Sequence, residues 1–145
     1  MAVEVNAHDS MAWLFKGAMH SFLGQGDEAV EAAERAMRLS PLDPRRSYYD
    51  CLAASAYCAA NSFERAIELG RRSLRVNRLH ASTLRSLTCS LALSGRVDEA
   101  RQVAAELMKL EPKLMIRSYL SRHPAASFWT GKAWADALRC AGVPD

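Results

Sequence analysis

The sequence is poor in the residues that interrupt helices and in those that favour strands. It has only seven glycines and five prolines, and Val, Ile and Thr are scarce beside Ala, Leu, Arg and Glu. The abundant residues have high helix propensity, whereas β-branched residues favour strands. This composition argues against a β-sheet protein and predicts an all-α fold. Half of the residues are apolar and a quarter are charged, which argues against a disordered chain.

The sequence also lacks a long apolar run and a strong charge of one sign. Its opening, "MAVEVNAHDS", is polar, so we predict neither a membrane span nor a signal peptide. With 19 basic and 16 acidic residues the net charge is +3, too small to indicate nucleic acid. The basic residues that could bind nucleic acid are interpreted as a solvated helix face: Arg45, Arg46, Arg71, Arg72 and Arg75. We expect a cytoplasmic protein.

The four cysteines form no CxxC pair. Cys51 and Cys58 are seven residues apart, roughly 10 Å along a helix, which is too far for a disulfide. We interpret the cysteines as small buried or groove-facing residues of a reducing compartment. A metal or redox site built from three of them is the alternative. The four histidines make no ligand pair, so neither a metal nor a cofactor is predicted.

Catalytic motifs are absent from the sequence. It has no GxSxG, no P-loop, no HExxH and no aspartate pair of the kind that binds metal in a cyclase. Four acids occur at predicted helix starts, where they complement the helix dipole and can cap free amides: Asp27, Glu28, Asp98 and Glu99. We therefore expect no enzymatic activity.

One pattern occurs three times. The segments "GQGDEAVEAAERAMRLSP", "ANSFERAIELGRRSLRVNR" and "SGRVDEARQVAAELMKLEP" each place an alanine one turn after a polar turn. The interval from Ala66 to Ala100 is 34 residues, and that from Ala29 to Ala66 is 37. A 34-residue helix–turn–helix period resembles the tetratricopeptide repeat.

Further positions carry the same resemblance. The first repeat fits at Trp13, Gly17, Ala29, Ala36 and Pro41, and the third at Leu84, Leu87, Leu91, Ala100 and Pro112. The second repeat is weaker, because Asp50 stands where the family has Trp and Arg78 where it has Pro.

The resemblance implies an all-α domain, a right-handed superhelical stack of antiparallel helix pairs with a C-terminal capping helix. A single domain of 1–145 would hold repeats at 10–43, 47–80 and 81–114 and a cap at 115–145. The predicted helices are 10–24, 27–40, 44–60, 63–76, 80–94, 97–110, 113–122 and 129–141. Ala29, Ala66 and Ala100 should be buried where paired helices touch. Trp129 and Trp134 should cover the edge of the third repeat.

The N-terminal residues are similar in sequence to the end of the first repeat. At an offset of 34, "AVEVNAHDS" aligns with "AMRLSPLDP", Ala2 on Ala36. We expect the chain to begin in the last turn of an earlier repeat and to be part of a longer protein. The first helix would then lack its neighbour, and a homodimer through the first helix pair is predicted. The side chains concerned are Met11, Trp13, Leu14, Phe15 and Phe22.

The C-terminal segments "LEP", "IRSYLSRHP" and "ALRCAGVPD" resemble the tails of bacterial class III adenylate cyclases and winged-helix regulators that carry these repeats. This resemblance implies a regulatory or interaction region and places no catalytic residue on the chain.

In such arrays the first helix of each repeat lines a concave face. The register predicts a mildly apolar groove for a peptide or protein partner. Its ten principal positions are Met11, Leu14, Ala18, Tyr48, Cys51, Ser55, Cys58, Ser82, Arg85 and Cys89, and its two secondary positions are Ser21 and Ala92. The family's carboxylate clamp for heat-shock chaperones needs cations and amides. The matching positions hold Leu14, Ala18, Leu52, Ser82 and Ser86, which excludes that clamp. Two functions remain: a protein-interaction module, or a regulatory and self-association segment of a bacterial signalling protein.

Overall fold

A computed structural model describes residues 7–145, and its regular structure within this range is entirely helical. The eight helices are α1 Ala7–Phe22, α2 Gly26–Leu39, α3 Arg46–Ala59, α4 Phe63–Val76, α5 Ala81–Leu93, α6 Val97–Leu110, α7 Ile116–Leu120 and α8 Trp129–Cys140. The all-α prediction is confirmed. The expectation for the first residues falls mostly on 1–6, outside the described range.

The helix bounds agree with the prediction to within three residues, and α7 is the helix that is shortened most. That helix was predicted over 113–122 but spans Ile116–Leu120. The chain turns after Pro112, and Met115 is extended, with φ −130° and ψ 135°. The backbone N–H of Ile116 then donates to the carbonyl of Pro144 at 2.8 Å. This segment therefore pairs with the C-terminal end before its helix begins.

Three turns with left-handed backbone set the period of the repeat. Gly24, Asn61 and Gly95 follow α1, α3 and α5 and have φ values of 74°, 60° and 85°. Glycine adopts this conformation without steric cost, and Asn is among the residues that tolerate it. The intervals between these residues are 37 and 34, the same as those between the repeated alanines. The repeated interval in the sequence is therefore the spacing of the tight turns between paired helices.

Small residues let the paired helices approach. Ala29, Ala66 and Ala100 are each inaccessible to solvent, which confirms their predicted burial. A Cβ added at Gly17 would lie 3.1 Å from the carbonyl oxygen of Ala29 on α2. The pairs α1–α2, α3–α4 and α5–α6 stack side by side. Their buried side chains form three clusters, which the half-buried Met37 and Tyr57 connect.

The weak second repeat is held by an ion pair where the family pattern has an aromatic. Asp50 on α3 is buried, and its two carboxylate oxygens accept hydrogen bonds from Arg72 at 2.8 Å each. Arg46, one turn earlier, donates from 3.2 Å. Because a buried carboxylate needs such partners, the two arginines compensate for the departure at position 50.

The acids at the helix starts have a narrower role than predicted. Asp27, Glu28, Asp98 and Glu99 all lie in the first turns of α2 and α6, where they face the positive end of the dipole. Neither helix has a side-chain hydrogen bond at its N-cap, so the predicted capping is wrong. Glu99 instead accepts hydrogen bonds from Arg96 and Arg71.

The last helix, α8, packs against helices of both the first and the third repeat. The helices that α8 contacts most are α5, α7 and α1. Thr130, at its start, donates to the carbonyl of Phe22 at the end of α1, at 2.8 Å. Trp134 packs on the core of the third repeat, as expected. The prediction for Trp129 is wrong: its indole lies against Gly24 at the first repeat, since a Cβ there would be 2.7 Å from Cε2 of the indole.

Candidate functional site

The face formed by the first helices of the three repeats contains a pocket of about 210 Å³. Helices α1, α3 and α5 form its floor, and α7 and α8 close one side. The lining residues are Ala18, Phe22, Cys51, Leu52, Ser55, Cys58, Ser82, Arg85, Ser86, Cys89, Tyr119, His123, Trp134 and Leu138. Most of these side chains are apolar or small, as is usual in a binding pocket.

The structure brings seven of the ten principal predicted groove residues into this one pocket. They are Ala18, Cys51, Ser55, Cys58, Ser82, Arg85 and Cys89. Ser55 and Ser86 meet across the floor, with their hydroxyl oxygens 3.3 Å apart. These residues lie on α1, α3 and α5, so the pocket is built by successive repeats side by side.

The other three predicted groove residues lie outside the pocket, and the prediction that Leu14 lines the groove is wrong. Its side chain is fully buried with Tyr49 and Ala36, so it belongs to the core of the first repeat. Met11 and Tyr48 are half-buried around the same cluster. Of the two secondary positions, Ser21 is also buried, and its hydroxyl donates to the carbonyl of Gly17. The α1–α3 contact covers this end of the groove, so the pocket lies toward the third repeat.

An aromatic wall completes the pocket, and the repeat pattern could not predict it. His123 is at its centre, with its ring centroid 5.0 Å from that of Tyr119, 5.2 Å from Phe22 and 5.8 Å from Trp134. Three of these four rings come from the non-repetitive tail. The sequence does contain one signal for this wall, the helical spacing of its residues: Tyr119 and His123 are four residues apart, as are Trp134 and Leu138.

Among the side chains that line the pocket, Arg85 is the one with a full positive charge. Its Nη1 donates to both carboxylate oxygens of Glu111, at 3.0 and 3.1 Å, and its Nη2 donates to Ser82 Oγ at 3.0 Å. The guanidinium lies 5.1 Å from the ring centroid of Tyr119. Three neighbours thus fix its orientation. Because Glu111 already balances the charge, the pocket is a weak site for a free anion.

Burial, more than charge, sets the ionisation of the other pocket groups. It raises the pKa of the Cys51, Cys58 and Cys89 thiols, and it raises the pKa of Tyr119 to about 12. Burial, and then the charge of Arg85, lower the pKa of His123. At neutral pH the thiols, the phenol and the imidazole are therefore uncharged.

This arrangement suits binding. The lining histidine, His123, accepts a hydrogen bond from the backbone N–H of Ala125 at 3.1 Å and is not hydrogen-bonded to a thiol or hydroxyl of the pocket. A nucleophile needs such a base for activation. Across residues 9–145, whose side chains the structure describes, no three His, Cys, Asp or Glu side chains are arranged to hold a metal ion.

Most of the basic residues weighed for nucleic acid form ion pairs. Arg45 pairs with Asp43, Arg46 and Arg72 with Asp50, and Arg71 with Glu99. Guanidinium groups held this way are less available to phosphates. The helices of the described range include none that is long and apolar enough to cross a membrane.

Comparison with known proteins supports the fold. The chain matches no family model and no curated protein. Among solved structures it is similar to the TPR domain of Arabidopsis OM64, with a TM-score of 0.65 and 18% identity, covering 92% of this chain and 96% of that one. The first TPR of Spaghetti (RPAP3), bound to the HSP90 peptide SRMEEVD, has a TM-score of 0.65 and 19% identity, covering 84% and 97%.

The first TPR domain of human RPAP3 gives the same TM-score of 0.65 at 19% identity, covering 92% of this chain and 98% of that domain. At such identities the likeness concerns the fold alone. The chain has the fold of a tetratricopeptide repeat domain.

Proposed function

We propose that this domain is a protein-interaction module that binds a segment of a partner on its concave face. A side chain of that segment inserts into the pocket between α3, α5, α7 and α8. The observation that carries the proposal is the convergence of groove residues from three repeats on one largely apolar pocket. Buried anchor side chains in such pockets dominate the affinity of many interfaces.

The pocket favours an apolar or aromatic anchor. Cys51, Cys58 and Cys89 contribute uncharged thiols, and Phe22 and Trp134 contribute ring surface. The volume of about 210 Å³ is below that of most small-molecule sites, roughly 300–1,000 Å³, and suits one side chain better than a cofactor.

The peptide specificity differs from that of the chaperone-binding relative. The RPAP3 domain is described with the HSP90 peptide SRMEEVD, which ends in two glutamates, a valine and an aspartate. In this chain the positions of a carboxylate clamp hold Leu14, Ala18, Leu52, Ser82 and Ser86, none of which carries a charge or an amide. We infer that a partner is recognised through apolar contact and that an HSP90-type terminus is not bound.

A pocket-filling substitution tests the proposal. Random 12-residue peptides are selected by display on the full chain, and the dissociation constants of the selected peptides are measured by fluorescence polarisation. Ser55→Phe places a ring inside the pocket and should weaken binding at least ten-fold. Ser55→Leu fills less of it and should have a smaller effect.

Ser62→Phe is the matched control, because Ser62 is exposed at the start of α4. Circular dichroism establishes that each variant is folded. If folded Ser55→Phe binds the selected peptides as wild type does, the pocket is not the binding site.

The regulatory alternative rests on the resemblance of the C-terminal tail to those of cyclases and winged-helix regulators. No specific observation on residues 7–145 favours it over the interaction module, and the same holds for a cytoplasmic location. Both stay predictions from the sequence.

A further inference from the structure

The first helix and the start of the last helix form a second surface, separate from the pocket. Five large apolar side chains are exposed there: Phe15 (48%), Met19 (64%), Leu23 (39%), Phe128 (39%) and Trp129 (54%). We call these five residues the end patch. They account for five of the eleven large hydrophobic side chains that are exposed within residues 7–145.

The end patch is continuous. Phe15, Met19 and Leu23 are spaced four residues apart along α1 and its first turn beyond, so they share one side of the helix. The indole of Trp129 lies against Gly24, next to Leu23, and Phe128 precedes it in the chain. Large side chains have areas of roughly 150–250 Å² each, so these exposures amount to on the order of 500 Å². A patch of that size usually marks an interaction site.

Two lysines border the end patch. Lys16 follows Phe15 on α1, and Lys132 lies one turn after Trp129 on α8; both are exposed. Lys16 Nζ lies 4.7 Å from the ring centroid of Trp13, a contact that leaves its charge unbalanced. Asp136, one turn beyond Lys132, is paired with Arg139. Within residues 7–145 the lysine that forms an ion pair is Lys109, far along the chain on α6.

We propose that the end patch binds an acidic amphipathic helix of another protein. Its apolar side chains would cover Phe15, Met19 and Leu23, and flanking carboxylates would meet Lys16 and Lys132. A second copy of this chain fits less well, because a two-fold pairing brings the same lysines toward each other. About 500 Å² per partner is also below the roughly 800 Å² of a standard stable interface, as suits a reversible contact.

The test uses two designed peptides of about 16 residues, long enough for marginal helicity. Both have leucines at every third or fourth position and alanines elsewhere. One carries glutamates on the flanks of the apolar stripe, and the other carries lysines. Binding to the full chain is measured by fluorescence polarisation at low and at physiological salt. We expect the glutamate peptide to bind at least ten-fold more tightly than the lysine peptide, with the difference shrinking as salt rises.

Matched variants locate the contact. Met19→Gln keeps the length and the helix propensity and should weaken binding of the glutamate peptide at least five-fold. Leu79→Gln, at a side chain 72% exposed outside the end patch, should leave it unchanged. Lys16→Glu combined with Lys132→Glu should reverse the preference between the two peptides.

Three results would overturn the proposal: equal binding of the two peptides; a concentration-dependent dimer of the chain that Met19→Gln abolishes; or binding to vesicles of phosphatidylcholine and phosphatidylserine that Met19→Gln abolishes while neither peptide binds. The pocket variant Ser55→Phe should bind both peptides as wild type does, which separates this surface from the peptide-binding pocket.

Discussion

A methyl group added at Gly131 should destabilise the protein, whereas the same change at Gly70 should not. Both glycines are buried in helices, Gly131 near the start of α8 and Gly70 within α4. In an isolated helix, replacing glycine by alanine stabilises by up to about 1 kcal/mol. The difference between the two sites therefore measures their tertiary surroundings.

At position 131 the new Cβ would lie 2.7 Å from the carbonyl carbon of Ala125 and closer still to its oxygen. That oxygen accepts the backbone hydrogen bond of Phe128 at 2.9 Å, so it cannot move freely. Relieving the overlap requires a backbone shift, which costs about 1–3 kcal/mol and exceeds the gain in helix propensity. We expect Gly131→Ala to lower the free energy of unfolding by roughly 1–2 kcal/mol.

At position 70 the Cβ would lie 3.4 Å from the side chain of Leu87. This is ordinary van der Waals contact, so the propensity gain should survive. Gly70→Ala should raise the free energy of unfolding by up to about 1 kcal/mol.

Urea denaturation followed by circular dichroism at 222 nm measures both changes, and thermal melting should shift by about 2–4 °C per kcal/mol. If Gly131→Ala is as stable as wild type, or if both variants shift in the same direction, α8 does not dock on the loop before it as described.

The remaining predictions concern the core, acid stability and thiol reactivity. Ala66→Leu should overpack the α3–α4 contact and lower the free energy of unfolding by roughly 1–3 kcal/mol; an unchanged urea curve would contradict the helix register. The side chain and backbone N–H of Arg45 hold the pKa of Asp43 well below its usual range. The ionised Asp43 therefore stabilises the fold above about pH 4, and this contribution is lost as the pH falls through the depressed pKa. The gap in unfolding free energy between wild type and Asp43→Asn should therefore narrow from about pH 6 to pH 2, and a constant gap would refute the assignment. The native protein should show one thiol that reacts fast with a disulfide reagent such as DTNB, that of the exposed Cys140. The other three thiols should react slowly, because their cysteines are buried. Cys140→Ser should remove the fast phase, and a fast phase that persists would count against this burial.

The sequence alone determined the repeated part of this protein. Helix pairing depends on local features that recur at a fixed interval: left-handed turns at Gly24, Asn61 and Gly95, and small residues such as Ala29 where helices touch. Once that register is known, each first helix has a definite concave side. This is why seven of the ten principal groove positions lie in the pocket. Leu14 shows the limit, because how deeply a concave residue is buried depends on the tilt between α1 and α3.

Only the tertiary structure decided where the last helix lies. Its stripe of Trp134 and Leu138 is compatible with any apolar face of the stack, and no repeat fixes the register of a segment that occurs once. Packing made the choice: Gly131 permits close approach to Ala125, and Thr130 bonds to Phe22, 108 residues earlier. A contact between residues so far apart in the chain leaves no periodic trace in the sequence, so the closed pocket became visible only in the folded molecule.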